Sequence, residues 1–436
     1  MDHLKQIHAQ MIISGRISDN FAASRIMSFC ALSDSGDIAY ARKLFENTQE
    51  PNSFMWNTII RAYSGSPNPS NAIFLYARMR KEGAPPGNHT FPFLLKACTK
   101  YHSLSSGIQV HGHVIKHGFD LDIYVANGLI RFYGGCGSIF DARRVFDEIP
   151  ERNLIIWTTM VSGYAQNFCS NEALMLFDEM IVEGVKPNGP TLASVLSACA
   201  RSGGLELGER IHVFIQEKGI EVEVILGTAL VDMYAKNGVI STARKLFDGM
   251  PERNIVTWNA MICGLAMHGY VEDALKLFHE LERDEIAPND ITFVGVLSAC
   301  CHAGLVEVGS EIFYSMRRVY GIEPKIEHYG CIVDLLGRVG RVMEAEELIR
   351  GMKWKADVVV LGALLAGCKN HGNVEIAERV VKAMLELEPN NHGVYVVLSN
   401  MYAEAARWED VVRLRKVMRD EGLKKIPGWS LVDGDR

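Results

Sequence analysis

Apolar residues recur along the chain at helical spacing, in short blocks separated by polar turns. In the segment 255–289 the first block lies on one helical face, at Trp258, Met261, Ile262 and Leu265. After Gly269 a second apolar block, ALKLF, begins at Ala274, and the dipeptide Pro288-Asn289 ends it. This segment therefore predicts two amphipathic helices joined by a turn.

This helix pair belongs to a repeat of 101 residues. The segments TQEPNSFMWNTII, IPERNLIIWTTMV and MPERNIVTWNAMI begin at Thr48, Ile149 and Met250, each 101 residues after the one before. One unit divides into three helix pairs of 35, 35 and 31 residues. Because each pair leaves an apolar face uncovered until its neighbours stack on it, the array predicts an all-α solenoid. The tryptophans at this phase are predicted to pack in its core: Trp56, Trp157 and Trp258.

Composition narrows the classes of function. The 436 residues are 48% hydrophobic and 22% charged, and the formal net charge is −7. An acidic chain is not suited to coating phosphates in general, so any nucleic-acid binding must rest on base contacts more than on bulk attraction. No apolar run approaches the roughly 18 residues of a membrane span. The ten cysteines form no CxxC pair, which predicts buried thiols in a reducing compartment and no metal site.

The repeat resembles the plant PLS-class pentatricopeptide repeat (PPR) proteins, of the E subgroup and without a DYW deaminase domain. The triplet of helix pairs carries PERN turns at Pro150 and Pro251 and a KPN turn at Lys186. GIEPKIEHYGCIVDLLGRVG, beginning at Gly321, matches the junction that ends such arrays. The resemblance implies an all-α fold, a right-handed α-solenoid of stacked helix-turn-helix PPR motifs.

The same resemblance divides the chain. A partial L-type motif covers 1–19, a PPR array of the order S-P-L-S-P-L-S-P-L-S covers 20–357, and two E motifs similar to tetratricopeptide repeats cover 358–424. Residues 425–436 are similar to a truncated E-plus extension. The motifs of the array are 20–52, 53–87, 88–122, 123–153, 154–188, 189–223, 224–254, 255–289, 290–325 and 326–357.

Membership implies binding of single-stranded RNA with one base per repeat, the fifth and last residues of a motif facing the base edge. In P and S motifs the fifth residues are short and polar: Ser24, Asn57, Asn127, Thr158, Thr228 and Asn259. Most last residues are asparagine: Asn52, Asn153, Asn188, Asn254 and Asn289. Amides and hydroxyls can both donate to and accept from a base. For each asparagine, a local role as a turn or helix-capping residue stays open.

The second residues of the same motifs are hydrophobic and are predicted to wedge against base faces. They are Phe21, Phe54, Tyr124, Ile155, Ile225 and Val256. Stacking on the aromatic members would be worth ~1–3 kcal/mol per base.

By the family's code, Thr or Ser with Asn favours adenine, and Asn with Asn favours a pyrimidine. From 5′ to 3′ the predicted order is A, pyrimidine, an unread base, pyrimidine, A, an unread base, A and pyrimidine. The unread bases face L motifs, whose fifth residues cannot hydrogen-bond through their side chains: Pro92, Ala193 and Val294. Gly87 in a last position and Gly330 in a fifth position depart from the code.

No catalytic grouping is present in the sequence. Zinc deaminases need HxE and CxxC, and the chain has neither. We therefore expect no enzyme activity, no catalytic residue, no cofactor and no metal. The resemblance implies a specificity factor for C-to-U editing of an organellar transcript. Its expected partners are single-stranded RNA, a DYW-type deaminase recruited in trans, and multiple organellar RNA editing factor proteins, with no membrane.

Alternatives remain at this stage. An RNA stability, splicing or translation factor fits the same motifs, and a protein-binding helical scaffold fits the tetratricopeptide-like C-terminus. The N-terminal MDHLKQIHAQMIISG has the pattern of repeat sequence and not of a transit peptide. The expected location is an organelle matrix or stroma, with the mitochondrion slightly preferred over the chloroplast. A basic run near the C-terminus, from Arg407 to Lys425, either holds phosphates or is a solvated helix face, and the acidic residues within it favour the solvated face.

Overall fold

The computed structural model describes residues 1–389 and 391–420. All regular secondary structure in these residues is helical, with 25 α-helices and one 3₁₀ helix at Arg16–Ser18. The prediction of an all-α solenoid is confirmed. The predicted E-plus-like tail lies outside the described residues.

The helices form two compact units, Met1–Ala229 and a second that begins at Leu230. The helices of the first unit are α1 (Asp2–Ile13), α2 (Asn20–Leu32), α3 (Ile38–Glu46), α4 (Ser53–Gly65), α5 (Ser70–Lys81), α6 (Thr90–Lys100), α7 (Leu104–Lys116), α8 (Ile123–Gly135), α9 (Ile139–Glu148), α10 (Leu154–Gln166), α11 (Ser170–Val182), α12 (Gly189–Ser202) and α13 (Leu205–Glu217). Helix α14 (Val224–Lys236) contains the boundary.

The remaining helices belong to the second unit. They are α15 (Ile240–Gly249), α16 (Ile255–Met267), α17 (Val271–Arg283), α18 (Asp290–Ala303), α19 (Val306–Arg318), α20 (Ile326–Arg338), α21 (Val342–Arg350), α22 (Val358–Asn370), α23 (Val374–Leu387), α24 (Gly393–Glu404) and α25 (Trp408–Asp420). From α2 onward the even-numbered helices are the first helices of the pairs. Most of them begin at the first residue of a predicted motif, as α4, α8, α10 and α16 do. The assignment of each pair to a P, L, S or E type stays a prediction.

The first helices of each unit form one layer and the second helices another. Within each unit, successive first helices pack directly against one another, as α4, α6, α8 and α10 do. The second helices pack mainly against the first helices on either side of them. Within each unit, the predicted base-reading residues therefore belong to the layer of first helices or to the turns that enter it.

An aromatic pair joins each P motif to the S motif before it. Trp157 of α10 packs edge-on against Phe146 of α9, with 5.0 Å between the ring centroids. The pairs Phe45–Trp56 and Phe247–Trp258 repeat this contact at 4.6 and 4.9 Å. All three tryptophans are buried, in agreement with their predicted packing role. Such pairs add ~0.5–1.5 kcal/mol beyond the burial of their area, and here they fix how one helix pair sits on the next.

Hydrogen bonds between successive first helices reinforce this stacking. The Lys100 ammonium donates to the carbonyls of Gly65 and Ser66 at 2.7 and 2.8 Å, and so satisfies the end of α4. Asn167 donates to the Gly134 carbonyl at 2.9 Å in the same way. Because the last carbonyls of a helix have no partner within it, these side chains link each helix end to the next motif.

The cysteines pack as small hydrophobic residues. All ten are free thiols, and Cys98, Cys199 and Cys300 are fully buried at the same phase of the repeat. Burial raises the pKa of Cys98 to about 12 and the pKa of Cys199 to about 11, so both remain protonated at neutral pH. Among the described helices, none is both long and apolar enough to cross a membrane.

Candidate nucleic-acid interface

The five last-position asparagines all cap the helix that follows them. The Asn52 Oδ1 accepts from the Met55 amide at 3.0 Å, and the Asn153 Oδ1 accepts from the Ile156 amide at 3.1 Å. The Oδ1 atoms of the other three asparagines accept from backbone amides in the same way. Asn188 accepts from Thr191, Asn254 from Val256 and Thr257, and Asn289 from Thr292. The local capping role that the sequence left open is therefore present at every one of these positions. It uses the amide oxygen, and the NH₂ group takes no part in it.

The fifth-position residues lie one turn into the first helices. Their side chains are less exposed than polar side chains on a protein surface usually are. Ser24, Thr228 and Asn259 are buried, whereas Asn57, Asn127 and Thr158 are half-buried. A polar side chain this far from solvent needs a hydrogen-bond partner inside the protein.

The second-position residues have the opposite environment. All six are at least half exposed, from 50% at Phe54 to 69% at Tyr124. Phe21, Ile155, Ile225 and Val256 lie between these values. Folding of the chain gains nothing from leaving six apolar side chains in water at one phase of the repeat. Such a row is typical of a surface that meets a partner.

In two of the three predicted P motifs the structure brings the side chains of the fifth and last residues together. The Asn259 Nδ2 donates to the Asn289 Oδ1 at 3.0 Å. Thr158 and Asn188 are joined through Thr191, whose hydroxyl lies 2.7 Å from the Thr158 hydroxyl and 2.7 Å from the Asn188 Oδ1. In two of the predicted S motifs the fifth residue bonds elsewhere. Asn127 accepts from the Thr159 hydroxyl at 2.6 Å, and Ser24 donates to the Phe21 carbonyl at 2.7 Å.

Three buried threonines, which the sequence pattern did not single out, contact the predicted base-reading residues. Thr90, Thr191 and Thr292 are the third residues of the L motifs, are fully buried, and contact the fifth residue of the preceding P motif. They recur every 101 residues, in HTFPFLLKAC, GPTLASVLSAC and DITFVGVLSAC. Their spacing of 101 residues is visible in the sequence. The residues around each threonine do not distinguish it from an ordinary residue of a first helical turn.

A row of basic residues runs beside the fifth positions in the first unit. Arg61, Lys96 and Arg131 are the ninth residues of three successive motifs, one helical turn after the fifth. All three are exposed, and no carboxylate in the described part of the chain pairs with them. Lys96 and Arg131 line a groove of about 650 Å³ between α6 and α8, together with Tyr124 and Asn127. We call these three residues the basic row.

The basic run near the C-terminus has a different character. Arg407 pairs with Glu378 at 3.0 Å and with Asp410 at 2.7 Å, and Arg413 pairs with Asp410 at 3.0 Å. These contacts favour the ion-paired, solvated helix face over a phosphate site. Lys424 and Lys425 lie outside the described residues. No group of three His, Cys, Asp or Glu side chains within residues 1–389 and 391–420 could hold a metal ion.

Comparison with known families agrees with this geometry. The model of the PPR repeat family matches residues 51–100, 152–201 and 253–302, and a PPR repeat model matches 228–255, 291–319 and 327–355. A pentatricopeptide repeat-containing protein of Arabidopsis thaliana is 40% identical over 99% of this chain and 88% of its own length. The chain belongs to the pentatricopeptide repeat family. An E motif model also matches residues 371–433, and PPR repeats with an E motif are the combination found in the PLS class, E subgroup.

Other PPR relatives extend the comparison. Two further Arabidopsis thaliana proteins are each 34% identical to this chain. The one named as mitochondrial matches 99% of this chain and 83% of its own length. The one named as chloroplastic matches 100% of this chain and 77% of its own length. The crystal structure of the pentatricopeptide repeat protein PPR10 from maize matches 94% of this chain with a TM-score of 0.68 at 20% identity. PPR10 bound to an 18-nucleotide psaJ RNA element matches 97% of this chain with the same TM-score at 19% identity. This chain spans about three fifths of the PPR10 chain, and the likeness shows the shared fold.

Capping by Asn153 can be separated from any other role of its amide. Asn153→Ala removes the acceptor for the Ile156 amide, and we expect it to lower the free energy of unfolding by ~1 kcal/mol. Asn153→Asp keeps the acceptor, and we expect a change of less than ~0.5 kcal/mol. Urea denaturation followed by circular dichroism measures both. Equal destabilisation by the two variants would show that Asn153 does not act through its capping oxygen.

Proposed function

We propose that this PPR protein binds single-stranded RNA sequence-specifically and directs C-to-U editing of an organellar transcript, with the deaminase recruited in trans. The observation that carries the RNA part is the arrangement in the first-helix layer. A hydrogen-bonding group made from fifth and last residues is present in two predicted P motifs, 154–188 and 255–289, beside an exposed apolar residue at each second position. Such a combination suits bases that are stacked on their faces and read at their edges.

The base-reading set of the proposal is the one expected from the sequence. The fifth residues are Ser24, Asn57, Asn127, Thr158, Thr228 and Asn259, and the last residues are Asn52, Asn153, Asn188, Asn254 and Asn289. Capping by the asparagine oxygens is compatible with this role, because each capping amide keeps an NH₂ group that can donate to a base. The stacking residues of the proposal are the six exposed second positions.

The basic row supplies the attraction that the overall charge does not. With a net charge of −7, the chain as a whole repels a polyanion, but three unpaired cations lie beside the reading positions of α4, α6 and α8. At the equivalent ninth positions of two later S motifs the residues are Asp232 and Asp334, each paired with a cation one turn on. We place the strongest phosphate contacts near Arg61, Lys96 and Arg131.

Two observations favour editing over the other RNA roles and over a scaffold. The E motif at residues 371–433 belongs to the subgroup whose resemblance implies editing, with a DYW-type deaminase and multiple organellar RNA editing factor proteins as partners. A protein-binding scaffold has no need of a polar pair at a fixed place in successive repeats. The relatives named mitochondrial or chloroplastic support an organelle as the location, and the preference for the mitochondrion remains an expectation.

The base order tests RNA recognition. We expect the protein to bind RNA of the order A, pyrimidine, any base, pyrimidine, A, any base, A, pyrimidine at least tenfold more tightly than RNA with its adenines and pyrimidines exchanged, since each directed base contact contributes ~1–3 kcal/mol. Thr158→Asn places an amide opposite Thr191, as Asn57 is opposite Thr90, so adenine preference at that nucleotide should change to pyrimidine preference. Gel-shift titrations measure both. Equal affinity for the two RNAs would rule out the code.

The salt dependence of binding tests the basic row. Replacing Arg61, Lys96 and Arg131 together with Gln should weaken binding to all RNAs alike and reduce the slope of log K against log salt by about 0.7 per lost phosphate contact. Arg144→Gln removes an exposed charge from the second helix α9, where Arg144 lies 3.8 Å from Asp141, and should leave the slope unchanged. If the triple variant and Arg144→Gln have the same slope, the basic row does not contact phosphates.

The proposed role in editing is tested on organellar transcripts. In plants lacking this protein we expect loss of C-to-U conversion at one or a few cytidines downstream of the predicted base order, with transcript abundance and splicing unchanged. Organellar transcriptome sequencing of the mutant and its parent measures this. Altered abundance or splicing with every editing site intact would favour the stability or splicing role instead.

A further inference from the structure

The buried threonines of the predicted L motifs form short polar contacts with fifth-position residues. The Thr90 hydroxyl lies 2.7 Å from the Asn57 Oδ1, and the Thr292 hydroxyl lies 2.7 Å from the Asn259 Oδ1. Both threonines are fully buried. Each comes 33 residues after its asparagine, on the neighbouring first helix, so the contact exists only when two motifs stack.

The hydrogens in this contact can be assigned. The Thr90 hydroxyl accepts from the Gly87 amide at 3.0 Å, and the Thr292 hydroxyl accepts from the Asn289 amide at 3.0 Å. Each hydroxyl still has one hydrogen, which in a buried site needs an acceptor. For Thr90 that acceptor is Asn57, so the atom of Asn57 that faces the hydroxyl is the carbonyl oxygen and not the nitrogen. The Thr292 hydroxyl also has the Asn289 Oδ1 at 3.1 Å, and so the assignment is made for Asn57.

This contact fixes an amide that could otherwise turn over. The O and NH₂ ends of an asparagine side chain are nearly equal in shape, and only hydrogen bonding decides between the two orientations. At Asn57 the oxygen points to a buried hydroxyl while the residue itself is half-buried. The part of the amide left for the surface is the NH₂ group, which can only donate.

We propose that Thr90 is a positioning residue that sets the base preference at Asn57, a proposal that rests on the proposed function. Both pyrimidines have a carbonyl acceptor at ring position 2, whereas adenine has C–H there and guanine has an amino donor. A fixed NH₂ donor directed at that position favours a pyrimidine, while a freely turning amide also accepts from purine amino groups. At Asn259 the Nδ2 donates to the Asn289 Oδ1 at 3.0 Å, so that amide is oriented without Thr292, and the inference concerns Thr90.

Asn127 provides a control within the same chain. Its Oδ1 accepts from the Thr159 hydroxyl at 2.6 Å, and so its orientation is set by a different motif. A change at Thr90 should therefore alter the preference for the nucleotide at Asn57 and leave the preference at Asn127 intact.

The test uses the full chain and RNA pairs that differ only at the nucleotide facing Asn57, cytidine or adenosine. Thr90→Val keeps the shape of the side chain and removes the hydroxyl. We expect it to lower the preference for cytidine by about fivefold to tenfold, the value of one directed hydrogen bond. Thr90→Ser keeps the hydroxyl and should retain the wild-type preference. Thr58→Val removes another buried hydroxyl, which bonds only to the Phe54 carbonyl of its own helix, and should also retain it.

The affinity ratio is the readout because Thr90→Val also leaves the Gly87 amide without its acceptor. A loss of stability would weaken binding to both RNAs equally and leave the ratio unchanged. An unchanged ratio in folded Thr90→Val would overturn the role of Thr90 while leaving RNA recognition intact. Wild-type protein that binds no RNA in preference to another would overturn the proposed function and this inference with it.

Discussion

The stacking of each helix pair on the next is the interaction on which the rest of this structure depends. No single pair can bury its apolar face, and the aromatic contacts from Phe45 to Trp56 and from Phe146 to Trp157 show how one motif covers the previous one. Because these contacts recur at a fixed spacing, the first turn of each first helix emerges at the same place relative to its neighbour. A repeated polar side chain then becomes part of a row, and a repeated exposed residue becomes part of a surface.

Stability and recognition share the same atoms at the motif junctions. The asparagine that ends a motif holds the next helix with its amide oxygen, as Asn153 does for α10, and keeps an NH₂ group. At several motifs the fifth residue is bonded to a threonine of the following motif, as Asn57 is to Thr90 and Asn127 is to Thr159. The amide oxygen of each of these two asparagines is thus used inside the protein. What remains for a ligand has a defined donor or acceptor character, and a half-used group discriminates better than a free one.

Under the proposed function, the distribution of charge lets an acidic protein approach a polyanion. The formal charge of −7 is spread over the whole chain, while Arg61, Lys96 and Arg131 occupy one line in the first unit. Screening limits each charge to a distance of about 8–10 Å at physiological salt, so a nucleotide beside this line experiences mainly these cations. Composition predicted that base contacts outweigh overall electrostatic attraction. The basic row adds local attraction of phosphates to that prediction.

The sequence by itself determined the helices and much of the interface. Helical spacing around Trp258 predicted α16, and the repeat of 101 residues predicted which side chains share a position in their motifs, including the exposed second-position residues such as Phe21 and Val256. These features are local, because a side chain's place on its helix depends only on the residues of that helix. Only the tertiary structure decided the depth of Ser24 and Asn259, the partnership of Thr90 with Asn57, and the groove shared by Lys96 and Arg131. Those features depend on the distance and rotation between neighbouring helices, which result from packing of the whole interface and are not encoded in the spacing of any one segment.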